Sequence, residues 1–471
     1  MRNPAIPLLV CLLLSACAAP RTQPPAPEIA PAAYKETGPW KHAGAGAAMT
    51  VPDDWWTIFH DPVLDDLQQR LVVGNQNLRL VIAQMANARA LLDASRTATW
   101  PTLSVGAGAT RNATPTGSTA AAGQNPSNAF SLSATAGWEL DLWGRLDSAA
   151  QGAQAAYQAS ADDLAAARLS ASATLTQTYL ALRAAEAQLA LLARGTAAYE
   201  RSLALTQARY DAGVAARSDV LQAQIQLANA QVQQRELAAQ RAQLEHAIAV
   251  LLGLAPSALT LAPTAVLPEL VGVPTMLPST LLERRPDIAA AQRRVVVAYT
   301  QIGVADAAFF PSITLSASVG LRNAALANLI SAPNLFWSLG ASVAQAVFDG
   351  GQRKLASAQA RASADQATAS YRQLVLTALQ EVEDNLVLVD QLQQEATLQQ
   401  QALDAARRNL DITLAQYRAG TVSYLTVVTA QNSALSAESN GLSVRNRQLA
   451  ALNLLLKNVA GRWQPASDVS P

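Results

Sequence analysis

Two segments of the chain are predicted to be helices that need partners along their whole length. Residues 144–212 and 351–419 contain no proline, and at about 1.5 Å per residue each helix would be roughly 100 Å long. Helices of that length are stable in water only when they coil against neighbours, and every seventh residue of both segments forms a mostly apolar seam. The seam positions are Leu175, Leu182, Leu189, Thr196, Leu203 and Tyr210, then Val375, Val382, Val389, Ala396, Leu403, Leu410 and Tyr417.

Both segments belong to an internal duplication in which matching residues lie 207 to 210 positions apart. A period this long indicates two copies of a large unit and not a solenoid. In each copy we predict a helix of moderate length, two strands, the long helix, a sharp turn and a returning helix. The matched residues include Trp100 and Phe310, Asp141 and Asp349, Arg145 and Arg353, and Tyr210 and Tyr417. The predicted divisions are a signal segment, a proline-rich tether and two repeats, over residues 1–17, 18–62, 63–262 and 263–471.

The predicted strands alternate apolar residues with small or polar ones, which is the period of a sheet with two different faces. They cover residues 103–110, 131–140, 313–322 and 337–344. Such strands fit either a sandwich or a membrane barrel. Two hairpins far apart in sequence make a poor sandwich, and a barrel needs about eight strands. The membrane interpretation therefore requires oligomers: a dimer gives a filled barrel, a trimer leaves a lumen, and a tetramer stays open as an alternative.

The N-terminus has the pattern of a secretory signal, with Arg2 followed by an apolar run too short to span a bilayer. Leu14-Ser15-Ala16-Cys17 resembles a bacterial lipoprotein box, which implies acylation of Cys17 and tethering by its acyl chains. Ala18 at the next position implies sorting to the outer membrane in such lipoproteins. The alternative is ordinary cleavage ahead of an unmodified cysteine.

Composition argues against several functions. Cys11 and Cys17 are the only cysteines, so the mature chain would have no disulfide and no thiol metal site. The three histidines are far apart in sequence, and we expect no metal centre and no cofactor other than the acyl lipid. Lys plus Arg and Asp plus Glu both number 34, which gives no sign of a nucleic-acid partner. The carboxylate groupings Glu139 with Asp141 and Glu381 with Glu383 fit solvated positions better than catalysis, so we expect no enzyme.

With these features the chain resembles the TolC-like outer-membrane factor family, and most closely its lipoprotein (NodT-like) branch, which serves resistance-nodulation-division efflux pumps. The matching stretches are Trp55-Trp56 with Phe59, Asp61-Pro62 and Leu64; Arg284-Arg285-Pro286-Asp287-Ile288; Ile302-Gly303-Val304-Ala305; and Phe310-Pro311. The resemblance implies a mainly α fold with membrane β. A homotrimer would share a 12-stranded barrel, four strands per chain, continued by a coiled-coil tunnel with an equatorial domain. That domain would collect the segment before Leu64, the linker near residues 253–285 and the C-terminal tail.

The resemblance further implies that the turns after the long helices dock a periplasmic adaptor, which would join the channel to an inner-membrane efflux transporter. The docking residues would be Gly213, Val214, Arg217, Ser218, Asp219, Gly420, Thr421, Ser423 and Tyr424. The alternative is a plain capping turn, because glycine and serine are what helix ends require.

The family's closed tunnel end often has an Asp and an Arg one turn apart after a Tyr-Leu-Thr pattern. Here Tyr424-Leu425-Thr426 is followed by Thr429 and Asn432 at those places. We therefore expect a constriction formed by Leu425 and Thr429, with Asp219 as the nearest acidic candidate for a cation-binding ring.

The predicted function is a passive exit duct for small molecules in the outer membrane. One alternative is a similar duct for type I protein or peptide export. Another, of a different class, is a periplasmic coiled-coil adaptor or structural lipoprotein, which would explain the helices and the anchor but not the amphipathic hairpins.

Overall fold

A computed structural model of the protein describes residues 54–113, 126–269 and 285–459. The predicted signal segment, Cys17, most of the tether, the centre of the linker and the C-terminal tail lie outside the described residues. The helices are α1 (Pro62–Gly74), α2 (Gln76–Thr97), α3 (Arg145–Asp211), α4 (Arg217–Leu251), α5 (Pro286–Ala307), α6 (Gln352–Arg418) and α7 (Tyr424–Val459). The strands are β1 (Thr102–Asn112), β2 (Ser127–Leu140), β3 (Ser312–Asn323) and β4 (Leu335–Ala344).

The two long helices, α3 and α6, begin and end within one residue of the predicted limits and contain 67 residues each. Their seams are fully buried in part, since Leu175, Leu182 and Val382 are each 0% exposed. Other apolar seam positions are half-buried, among them Leu189 and Val389. The coiled-coil prediction is therefore confirmed at the fully buried positions. None of the described helices combines the length and the apolarity that crossing a bilayer requires.

The chain divides into two compact units, and one of them contains residues 84–161 and 290–372 with all four described strands. The strands form an antiparallel sheet in the order β1-β2-β3-β4. The central pairing, between β2 and β3, joins the two repeats directly, from Phe130 opposite Asn323 to Leu140 opposite Ile313. The predicted hairpins thus become one four-stranded sheet.

The two faces of this sheet differ in chemistry, as the period-two pattern predicted. On one face large apolar side chains are open to the surroundings in the single chain, with Leu103, Trp337 and Leu339 between 75% and 79% exposed. The other face has a lateral row of hydroxyls. Within this row Ser104 hydrogen-bonds to Thr135 at 2.7 Å and Ser318 hydrogen-bonds to Ser338 at 2.8 Å. In the described sheet the outer edges of β1 and β4 have no strand partner.

In the other unit, a buried ionic network fastens the segment after α4 to the helices. Glu186, which is 4% exposed, accepts hydrogen bonds from Arg183 on its own helix, from Arg241 on α4 and from the backbone N–H of Thr264. Arg183 also donates to the carbonyl of Ala262 at 3.0 Å. Because both charge partners and backbone groups are satisfied, the network can be buried without an unpaired charge.

A second buried arginine of this unit stands at the start of α5. Arg285, 7% exposed, forms ion pairs with Asp287 at 2.8 Å and with Glu381 of α6 at 2.9 Å. Burial alone would raise the pKa of Asp287, but its hydrogen bonds and charge attraction with Arg285 outweigh burial and hold that pKa below its ordinary value. Through Arg285, the Arg285-Pro286-Asp287 motif therefore connects the beginning of α5 to α6.

Candidate functional site

Both long helices end in the same backbone motif, within the unit that also contains α4 and α7. After α3, Gly213 has φ +76, its N–H donates to the carbonyl of Tyr210 at 2.9 Å, and Val214 donates to Arg209 at 2.9 Å. This pair of hydrogen bonds defines a Schellman cap, in which glycine adopts the left-handed conformation without a Cβ penalty.

The second turn repeats the motif. Gly420 has φ +79 and donates to Tyr417 at 3.0 Å, and Thr421 donates to Gln416 at 3.0 Å. The duplication therefore preserves backbone geometry as well as sequence at both turns.

Most of the predicted docking residues lie on the surface of the chain. Val214 is 65% exposed, and Leu425, which was predicted for the constriction, is 64% exposed. Tyr424 differs, because it is 1% exposed and supports the second turn from inside. The other predicted docking and constriction residues are exposed at Gly213, Arg217, Ser218, Gly420, Thr421, Ser423 and Thr429, and half-buried at Asp219.

Tyr424 belongs to a small apolar cluster beneath the turns. Its ring centroid lies 5.7 Å from that of Tyr417, and Val427 and Val428 complete the cluster with Ala223 of α4. The Tyr424 hydroxyl accepts a hydrogen bond from Ser202 of α3 at 3.2 Å, and burial raises the pKa of Tyr424. Residues from α3, α4, α6 and α7 thus hold both turns in place.

Arg209 joins the two turns from the end of α3. Its guanidinium lies 4.6 Å from the centroid of the Tyr417 ring, and its Nη1 donates to the Tyr417 carbonyl at 2.8 Å. A cation over an aromatic face and a charged donor on a terminal carbonyl both stabilise a helix end. Two buried polar atoms here have no hydrogen-bond partner among the described residues, the Nε of Arg209 and the hydroxyl of Tyr417.

Further along α7, Asn432 forms neutral contacts with two helices. Its Oδ1 accepts from the hydroxyl of Tyr199 on α3 at 3.1 Å and from the amide of Gln226 on α4. Thr429 donates to the carbonyl of Leu425 on its own helix at 3.0 Å. Asn432 and Thr429, which stand where the family pattern has an Arg and an Asp, therefore form hydrogen bonds but no ion pair.

Sequence reasoning located the turns but missed Tyr199, Ser202, Arg209 and Gln226. The glycines and the matched tyrosines are visible as a repeat, whereas isolated polar residues on a long helix have no periodic signal. Among the described residues, no three His, Cys, Asp or Glu side chains come close enough to hold a metal ion.

The comparisons with known proteins agree with this architecture. The chain matches the family model described as outer membrane efflux protein over residues 67–254 and 277–461. It is 31% identical to outer membrane protein OprJ of Pseudomonas aeruginosa, covering 98% of this chain and 97% of OprJ. It is also 31% identical to the toluene efflux pump outer membrane protein TtgF of Pseudomonas putida, covering 88% of this chain and 86% of TtgF.

Solved structures give the same result for the fold. The outer-membrane channel OprN superposes with a TM-score of 0.85 at 29% identity, over 94% of this chain and 99% of OprN. The CmeC outer membrane channel of Campylobacter jejuni has a TM-score of 0.87 at 22% identity, over 94% of this chain and 96% of CmeC. The predicted TolC-like fold is confirmed.

Proposed function

The chain belongs to the outer membrane efflux protein family, and we propose that it is the passive exit duct of a tripartite pump that exports small toxic molecules. The relatives are named for toluene, pyoverdine and antibiotic efflux. These are small molecules, which favours small-molecule efflux over export of proteins. A coiled-coil adaptor would not explain the amphipathic sheet, whereas a channel explains both the sheet and the long helices.

The observation that carries this function is the sheet with one exposed apolar face and two unpaired edges. A lipid-facing barrel satisfies both, because closure pairs the edges and the bilayer covers the apolar residues. Four strands are too few to close alone. We propose a homotrimer, in which the polar row containing Ser104 and Ser318 lines a water-filled lumen.

We further propose that acylation of Cys17 anchors the chain in the outer membrane. The acyl chains would hold the N-terminus at the membrane in addition to the barrel, because each buried methylene adds to membrane affinity. Metabolic labelling with a palmitate analogue tests this proposal, with label expected on the wild type and lost in Cys17→Ser. Equal labelling of the two would refute it.

The test of the duct is transport in a strain that lacks its own outer-membrane efflux channel. Expression of this chain with its matching pump partners should restore resistance to exported compounds, and the purified protein should form conducting pores in a planar bilayer. A protein that reaches the outer membrane yet forms no pore would contradict the function.

The turns that follow the long helices are the proposed docking surface for a periplasmic adaptor. Exposed Val214 and Thr421 lie at matching positions of the two turns. Val214→Cys and Thr421→Cys variants with a thiol-reactive photocrosslinker should capture the adaptor. Val232→Cys, which places the thiol on an equally accessible part of α4 (Val232 is 55% exposed), is the matched control. Capture from Val232 but not from the turns would exclude this surface.

The proposed constriction uses Leu425, whose apolar side chain extends from the first turn of α7. Three copies around an axis would narrow and dewet the lumen. Leu425→Ala should increase single-channel conductance, whereas Val214→Ala should not. Unchanged conductance in Leu425→Ala would rule out this gate.

The Asp219 side chains of the three copies form the proposed cation-binding ring. If a trivalent cation blocks the wild-type channel, Asp219→Asn should abolish that block.

A further inference from the structure

The sheet has a cleft at the end where its strands meet the helices. It has a volume of about 440 Å³ and lies between the end of β2, the start of β3 and the residues after β4. That volume falls within the range of small-molecule sites. The lining includes Glu139, Asp141, Trp143, Arg145 and Phe310.

The register places most strand residues of this cleft on the polar face. Trp138 and Leu140 belong to the apolar face, so Glu139, which alternates with them, projects to the opposite side together with its partner Thr314. Ser312 and its partner Ala344 line the cleft from this side too, whereas Leu140 borders it from the apolar face. In the proposed barrel the polar face is the wetted side, and a molecule in transit would meet the cleft directly.

One wall of the cleft is a pair of stacked aromatic rings. Trp143 and Phe310 have centroids 4.9 Å apart and planes inclined by 17°. The indole nitrogen of Trp143 donates to the carbonyl of Pro311 at 2.6 Å, which fixes the orientation of the ring. Both rings are half-buried, so part of the stacked pair is open to a ligand with a flat apolar surface.

The charges in the cleft do not balance. Arg145 binds Glu139 through Nη2 at 2.8 Å, and this pair accounts for the only cation among the lining residues. Asp141 is a second carboxylate, whose Oδ2 accepts from the backbone N–H of Asp147. The cleft is therefore negative by one charge.

The matching junction of the second repeat lacks this chemistry. At the spacing of 208 that relates Asp141 to Asp349, Glu139 corresponds to Val347 and Trp143 corresponds to Gly351. Asp349 pairs with Arg353 at 2.5 Å, one carboxylate with one cation. The duplication thus keeps the capping aspartate and the arginine, whereas the second carboxylate, Glu139, and the ring of Trp143 have no counterpart in the second repeat.

We propose that this cleft is a binding site for planar aromatic cations passing through the duct. The ligand's ring stacks against Trp143 and Phe310, and its positive charge lies near Asp141 and Glu139. The site rests on the proposed function, since it needs the polar face of the sheet to line the lumen.

The test compares two probes of the same shape on the purified full-length protein at about pH 8, where acridine is neutral and N-methylacridinium is a cation. Quenching of probe fluorescence should give one saturable site per chain for N-methylacridinium and binding weaker by about tenfold for acridine. Asp141→Asn should weaken binding of the cation by about tenfold as well. Equal affinities for the two probes, or an unchanged affinity in Asp141→Asn, would overturn the site.

The control is Asp306→Asn, which removes a carboxylate of the same unit that pairs with Arg361 outside the cleft. It should bind N-methylacridinium as the wild type does, and an equal loss there would overturn the site in favour of a general charge effect. Conductance in a planar bilayer separates the two proposals. Pores without selective binding of the cation refute the cleft and leave the duct intact, whereas absence of pores refutes the duct itself.

Discussion

At the scale of single residues, the two turn glycines show how backbone conformation limits substitution. Gly213 and Gly420 both have positive φ, and a Cβ at either position would have open space around it. The penalty of a side chain there is therefore conformational and not steric. Gly213→Ala and Gly420→Ala should each lower the free energy of unfolding by about 1 kcal/mol, measured by denaturant unfolding in detergent.

Gly441 is the matched control, because it lies inside α7 with helical geometry. A Cβ at that position would be 4.0 Å from Cγ of Gln399, which is an ordinary contact. Gly441→Ala should therefore raise the free energy of unfolding by about 0.5–1 kcal/mol. The same sign of effect at Gly441 and the two turns would contradict the assigned conformations.

Two neighbouring tyrosines provide a second contrast. The buried hydroxyl of Tyr417 has no partner in the part of the chain that the structure describes, whereas that of Tyr424 is hydrogen-bonded to Ser202. Tyr417→Phe should leave the free energy of unfolding unchanged or raise it by up to about 1 kcal/mol, while Tyr424→Phe should lower it by about 0.5–1.5 kcal/mol. A clear loss of stability in Tyr417→Phe would mean that its hydroxyl has a partner in the assembled channel.

Asp287 makes stability depend on acid pH. Its pKa in the folded chain is held below the ordinary value by Arg285, so its stabilising effect is complete above about pH 4 and is lost as pH falls through the lower folded value. Asp287→Asn should be less stable than the wild type at about pH 7 and show a flatter decline between about pH 4 and pH 2. A decline of Asp287→Asn as steep as that of the wild type over this pH range would refute the assignment.

At the scale of elements, the segment at residues 259–264 depends on buried charges. Glu186→Gln leaves Arg183 and Arg241 without their shared carboxylate, and we expect a loss of about 3–5 kcal/mol in the free energy of unfolding. Glu438→Gln removes a carboxylate paired with the exposed Arg194 and Arg407, so its loss should stay below about 1 kcal/mol. Faster proteolysis within residues 254–269 should accompany only the first change, and equal effects of both would contradict the network.

The elements differ in how far the sequence determines them. The limits of α3 and α6 follow from the absence of proline and from the heptad repeat. The two faces of the sheet follow from the alternation of apolar and polar residues. Both patterns are local in sequence. The pairing of β2 with β3 and the contacts of Asn432 with Tyr199 and Gln226 join residues about 170 to 230 positions apart. No local periodicity encodes such contacts, and the burial of Tyr424 inside a turn predicted to be surface depends on the same packing.

At the scale of the whole molecule, we propose that copies of this chain share one barrel in the outer membrane. The open edges of β1 and β4 and the exposed apolar face that includes Trp337 and Leu339 make the single chain incomplete. The cleft and the constriction take their proposed roles from that assembly, since each needs a lumen with a wetted inner face.

The most direct test is to separate the cell fractions and determine the mass of the particle that detergent extracts from the fraction containing the chain. A shared barrel predicts three chains per particle, found in the outer-membrane fraction and separating into single chains on heating. A single chain, recovered from the soluble or inner-membrane fraction, would contradict the shared barrel and with it the duct.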